Sequence, residues 1–164
     1  GMFPPNSGQI FFKGDNITHL PSPDIFRRGI VRTFQISSIF PTLPVLEKLK
    51  LVAQRGQKAG LLAYGDKRRL EIVMALVCHP EVLLLDEPTA GMSPEETQET
   101  AQLIKELSKD VTILLVEHDM RVVMGISDRV TVLNRGSVLA DGDPKEIQRN
   151  PEVQSVYLGT AHHQ

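Results

Sequence analysis

Two short apolar runs in this sequence each close on groups able to hold cations or move protons. VLLL at 82–85 runs into Asp86-Glu87, and TILLV at 112–116 runs into Glu117-His118-Asp119. Unbroken apolar runs of this length suit strands buried on both faces of a parallel sheet. Ligands of open parallel sheets bind beyond the carboxyl ends of the strands, where these polar groups fall. An aspartate at such an end can hold Mg2+ through its water shell, and the next carboxylate can polarise an attacking water. A histidine from the adjacent strand can hydrogen-bond a departing terminal phosphate. Asp86, Glu87 and His118 are therefore candidates for metal ligand, general base and phosphate contact in a phosphoryl transfer. A lone Asp-Glu pair after a strand also reads as a helix cap or a solvated turn; here a second cluster accompanies it.

Positioning these groups takes a strand, a crossover helix and a second strand. Ser93-Pro94-Glu95-Glu96 is a capping box with proline at the first helical position, and Thr97, Ala101, Ile104 and Leu107 supply the buried face of the helix that follows. The whole unit is a right-handed crossover of roughly 35 residues. Upstream, Leu70, Val73, Met74 and Val77 fall at i, i+3, i+4 and i+7, the stripe of a helix packed on a sheet, which His79-Pro80 ends. Cys78 lies in the same apolar stretch and is expected to be a small buried hydrophobe. Earlier still, residues 9–13 read as a strand ending in a Gly14-Asp15 turn. A short helix over 23–29 stops near Gly29, and a strand over 30–34 delivers Gln35 into a loop. Downstream, Asn134-Arg135-Gly136 marks a hairpin, and Asp143-Pro144-Lys145-Glu146 repeats the capping-box pattern before a final short helix.

Composition narrows the function classes. The 164 residues, 41% apolar and 23% charged, suffice for one α/β domain. No apolar run approaches the roughly 18 residues of a membrane span, and the first residues lack a signal pattern, so a cytoplasmic location is expected. A net charge of -2 and the absence of Trp argue against a nucleic-acid surface. A single cysteine rules out internal disulfides and a cysteine-based metal cluster. His162 and His163 near the terminus read as exposed tail.

The motifs together resemble the ATP-binding subunits of ABC transporters. VLLLDEPTAG at 82–91 is similar to the Walker B strand and D-loop of that family, and LLVEHD at 114–119 to its H-switch. Leu62-Ala63-Tyr64-Gly65-Asp66 stands where the family carries its LSGGQ signature, at the entry of a helix whose N–H groups can hold a phosphate. It departs from the consensus at Ala63, Tyr64 and Asp66; a carboxylate there repels a phosphate unless it turns away to cap the helix. Gln35, after Arg32-Thr33-Phe34, matches the Q-loop. LAYGDKRRLEI, EHDMRVVMGISDRVTVLNRG and DGDPKEIQRNPEVQSVYLG resemble the branched-chain amino-acid (Liv-type) importers; urea-type importers share AGMS and GSVLA.

The resemblance implies a P-loop NTPase-like α/β fold with a mostly parallel sheet flanked by helices. It implies ATP and Mg2+ as cofactors, with Asp86 and Gln35 on the metal, Glu87 as base and His118 as phosphate sensor, while residues 62–66 engage nucleotide on a partner. The implied partners are a second ATP-binding subunit, transmembrane permease subunits and, indirectly, a substrate-binding protein. The implied location is the inner face of the cell membrane, held peripherally. The expected divisions are an antiparallel-strand region with the Q-loop over 1–35, a shortened helical subdomain over 36–64, a Walker B to H-switch core over 65–141, and a C-terminal helix and tail over 142–164. An ABC ATPase acting outside transport fits the Liv-like tail poorly.

One expected motif is absent from the 164 residues: no Gly-Lys-Ser or Gly-Lys-Thr occurs, so GxxxxGK[ST] has no match. GMFPPNSGQIFFKG at the start resembles family sequence from just after the P-loop helix. The join between Gln57 and Lys58 resembles one from which roughly 40 to 50 residues of helical subdomain are missing. A catalytically silent interaction module is the alternative this leaves open. A sheet lacking its first strand and P-loop helix is expected to expose apolar surface and to self-associate.

Overall fold

The computed structural model describes residues 5–33 and 63–157. Gln35, Leu62 and nearly all of the expected helical subdomain lie outside the described residues. A short hairpin, β1 (Phe11–Phe12) with β2 (Asp15–Asn16), precedes α1 (Ser22–Arg27) and β3 (Ile30–Arg32). After the second described segment begins come α2 (Tyr64–Leu76), β4 (Val82–Asp86), α3 (Pro94–Leu107) and β5 (Thr112–Val116). The chain continues through α4 (Met120–Ile126), the hairpin β6 (Val130–Asn134) with β7 (Ser137–Gly142), α5 (Pro144–Arg149) and α6 (Pro151–Tyr157).

The expected crossover is present: β3, β4 and β5 form a parallel sheet in that order, with Leu83 beside Val31 and Ile113, and Asp86 beside Val116. Helices α2 and α3 cover one face, burying Ile72, Ile104 and Val111 against Leu83 and Leu85. Leu83 and Leu85 are 0% and 1% exposed. This packed face fixes where β4 ends, and therefore where Asp86 and Glu87 stand.

Several expectations about faces are corrected. β5 is not buried on both sides: Ile113 and Leu115 join the core, while Leu114 and Val116 are 60% and 56% exposed on the opposite face. An apolar run records what a strand is able to bury, not what covers it. In α2 the buried positions are Gly65, Arg69, Leu70 and Ile72, and Val77 is 59% exposed. The buried face is rotated from the expected stripe, with Gly65, Arg69 and Ile72 at helical spacing, and only its end involves the last turn. Val77, Cys78 and His79 donate to Met74, Ala75 and Leu76, three residues back, which tightens the coil and breaks the 3.6-residue phase. Cys78 is accordingly exposed rather than buried. In α3 Ile104 is buried and Leu107 packs on the core as expected, Thr97 and Ala101 are partly buried, and Thr100 and Leu103 are buried positions the expected face left out. Thr100 is fully buried and its hydroxyl donates to the Met92 sulfur at 3.3 Å.

The capping box at Ser93 is complete. At α5, Asp143 accepts from the Lys145 N–H as an ordinary cap. The expected single final helix is two: Asn150 ends α5 and its Oδ1 accepts from Glu152 and Val153 N–H, restarting the chain as α6 behind Pro151. The hairpin turn Arg135-Gly136 has φ of 49° and 82°, the doubly left-handed geometry a two-residue turn between twisted strands requires. Val130, Val132, Ile147 and Val153 form a second core there.

Candidate active site

The loop after β4 and the end of β5 meet through one buried carboxylate. The Glu117 side chain is only 1% exposed, although its residue as a whole is partly open through the backbone. Its Oε1 accepts the Thr89 N–H at 3.1 Å and the Thr89 hydroxyl; its Oε2 accepts the N–H groups of His118 at 3.0 Å and Asp119 at 3.4 Å. Four donors on one carboxylate compensate the desolvation of its charge. In the sequence Glu117 stands inside LLVEHD with no role of its own expected. The signal available was its position at the carboxyl end of a buried strand, where a charge needs partners.

With that hub in place, the candidate residues converge. The Glu87 N–H donates to the Val116 carbonyl at 2.8 Å, extending the β4–β5 ladder by one rung. Glu87 itself sits at φ 44°, a left-handed conformation that costs a non-glycine residue energy and turns the chain sharply after the strand. The Glu87 Oε1 stands 3.6 Å from His118 Nδ1, with both side chains open to solvent. A carboxylate and an imidazole at this separation can share a water or a proton above the strand ends. Asp86, one residue earlier, accepts from Arg32 at 2.9 Å across β3 and β4.

The signature-like segment lies apart in sequence but touches the same loop. Ala63, the N-cap of α2, makes no side-chain cap bond. Asp66 does not cap the helix either; it turns along α2 to Arg69 at 2.6 Å. The Gly65 N–H donates to Glu96 Oε1 at 3.2 Å, and the Tyr64 ring would lie 3.6 Å from a Cβ built on Gly91. The Tyr64 hydroxyl accepts from Arg68 Nε at 3.2 Å. Among the described residues no group of three or more His, Cys, Asp or Glu is placed to hold a metal. Magnesium that keeps its waters and bridges to phosphate needs only one or two carboxylates, and Asp86 offers one.

Comparison with known proteins shows the family and the fold. The family profile described as "ABC transporter" matches residues 1–90, and that described as "Branched-chain amino acid ATP-binding cassette transporter" matches residues 137–163. The chain is 41% identical to the high-affinity branched-chain amino acid transport ATP-binding protein LivG of Escherichia coli K12, over 98% of this chain and 80% of that protein. It is 38% identical to the corresponding protein BraF of Pseudomonas aeruginosa, with the same coverage. The alignment to LivG spans 204 positions against 164 residues here, so at least 40 positions of the relative have no counterpart in this chain. A crystal structure of a nucleotide-free ATP-binding cassette from an ABC transporter superposes with a TM-score of 0.80, covering 96% of this chain and 79% of that one at 24% identity, which speaks to fold. A parallel sheet with these strand-end groups, a profile over more than half its length and this level of identity identify the chain as a member of the ABC transporter ATP-binding family, carrying the C-terminal segment of its branched-chain amino-acid members.

Proposed function

We propose that the chain serves as an ATP-binding and ATP-hydrolysing subunit of an importer for branched-chain amino acids. The observation that carries the reading is the Glu117 hub. It brings Glu87 and His118 to 3.6 Å above the strand ends, next to Asp86, in a family whose relatives are named as branched-chain amino acid transport ATP-binding proteins. In this reading Glu87 takes a proton from the attacking water and His118 contacts the terminal phosphate. Asp86 and Gln35 hold Mg2+, which when bound offsets phosphate charge. Residues 62–66, Leu62 to Asp66, face nucleotide held by a second ATP-binding subunit. The partners are that subunit and the transmembrane permease pair, with a substrate-binding protein acting through them. No helix among the described residues is long and apolar enough to cross a membrane; a peripheral place on the permease at the inner face of the membrane goes with the transport role.

A second reading is supported by the absence of Gly-Lys-Ser and Gly-Lys-Thr from these 164 residues. A P-loop contributes several backbone N–H donors and a lysine charge, each charge-assisted contact being worth about 1.5–3 kcal/mol. Without Gly-Lys-Ser/Thr in its 164 residues, the chain supplies strand-end and signature groups to a site whose cradle comes from elsewhere, or it docks without turnover. Reconstitution with permease subunits in vesicles, followed by uptake of labelled leucine and of urea, separates these. ATP-dependent leucine uptake lost in Glu87→Gln supports the transport reading. Uptake of urea alone moves the substrate, and no uptake of either supports the silent module.

A further inference from the structure

Helix α2 begins without a cap of its own, and its first-turn donors need partners. Ala63 has no side-chain acceptor to offer, and Asp66 is committed to Arg69. The acceptor comes from another helix. Glu96, the third residue of α3, uses Oε2 to accept the Ser93 N–H at 3.0 Å, completing the α3 capping box, and Oε1 to accept the Gly65 N–H at 3.2 Å. One carboxylate therefore caps two helices, its own and the one that carries the signature-like segment.

Three further contacts lie along the same seam. A Cβ on Gly65 would fall 2.6 Å from Glu96 Oε1, so any larger residue there would have to push this carboxylate aside. The buried Arg69 reaches the Glu96 carbonyl at 3.5 Å and the Glu99 carboxylate at 3.0 Å. The Tyr64 ring stands beside Gly91, 3.6 Å from where a Cβ on that residue would lie. From these contacts we infer that Glu96 is a positioning residue: its carboxylate latches the start of α2 to the loop 89–93, so that the signature-like segment and the loop leading from Glu87 move as one unit. The functional meaning of the latch rests on the ATPase reading above; the latch itself does not.

The charged groups around Glu96 are Arg69 and Asp66 on α2 and Glu95 and Glu99 on α3. The Ser93 N–H first, and then the Gly65 N–H and Arg69, hold its carboxyl below the ordinary range for glutamate. The test is an NMR titration of this 164-residue chain, following the Gly65 and Ser93 amides through the acid range, with amide exchange measured at neutral pH. The latch requires both amides to shift together with one midpoint below the usual glutamate value, and both to stop shifting in Glu96→Gln. In Glu96→Ala, exchange at Gly65 and over 91–93 should rise on the order of tenfold or more, the factor for one lost charge-assisted bond, while the α3 interior keeps its protection. Two different midpoints, or a Gly65 amide indifferent to Glu96→Gln, overturn the proposal. The wild-type titration decides even where a variant folds poorly. None of these readouts involves nucleotide, so failure of the ATPase reading shows separately, as absent uptake.

Discussion

Replacing Glu117 by alanine should destabilise the fold by several kcal/mol, although the residue lies outside the apolar core. The carboxylate has four donors, and they do not weigh equally. The N–H groups of His118 and Asp119 lie at the exposed end of β5, where water can replace a lost acceptor. Thr89 is 6% exposed, so its N–H and hydroxyl would be left unsatisfied in the interior. Each orphaned buried donor costs about 1–3 kcal/mol, giving about 2–6 kcal/mol for the pair. That is a large share of a domain stability of about 5–15 kcal/mol. Urea unfolding followed by circular dichroism reads it as a lower midpoint at unchanged slope. Glu117→Gln keeps one acceptor but turns an amide NH2 toward donors, so it should fall between wild type and alanine. A Glu117→Ala loss below 1 kcal/mol would refute the claim that this carboxylate holds the loop after β4 to β5.

Further expectations concern packing and pH. Ile72→Ala, at a site 2% exposed in the main core, should cost about 2–5 kcal/mol, whereas Val77→Ala, 59% exposed, should stay within about 0.5 kcal/mol; equal effects would contradict this placement of the α2 core face. Cys78 should react with a thiol reagent in the folded chain at the rate of an exposed cysteine, and protection until unfolding would contradict its placement. Acid should weaken the fold. Arg121 lowers the Asp119 carboxyl, Arg129 and Thr131 lower that of Asp141, and Ser93 with Gly65 lowers Glu96. A carboxylate with a lowered folded pKa contributes stability above its unfolded value, near pH 4, and loses it as pH falls through the folded value. Glu71, raised by burial, works in the opposite sense and recovers a little stability on protonation. Urea midpoints flat from pH 6 to 8 and falling below about pH 4 are therefore expected; a rise in that acid range would contradict these pairings.

The sequence disclosed the frame well because its strongest signals are local. The Ser93 capping box, the apolar run into Asp86 and the Arg135-Gly136 turn each depend on a few adjacent residues, and each is present. What it concealed depends on partners distant in the chain. Whether Leu114 is buried depends on what covers the far face of β5, and whether Val77 faces the core depends on how the last turn of α2 tightens. Glu117 and Glu96 both sit inside legible motifs, yet their work lies in contacts 28 and 31 residues away. The site followed the same rule: Asp86, Glu87 and His118 were legible as strand-end groups, whereas the carboxylate that assembles them was not.

These 164 residues are proposed to hold the strand-end and signature side of a nucleotide site whose phosphate cradle is supplied from outside them. Equilibrium titration of the 164-residue chain with Mg2+ and ATP, beside an intact mass confirming its length, tests that claim most directly. For these residues alone, without a cradle from elsewhere, no saturable binding is expected up to millimolar ATP. Micromolar binding at the stated mass would contradict it and require a phosphate site built from other residues.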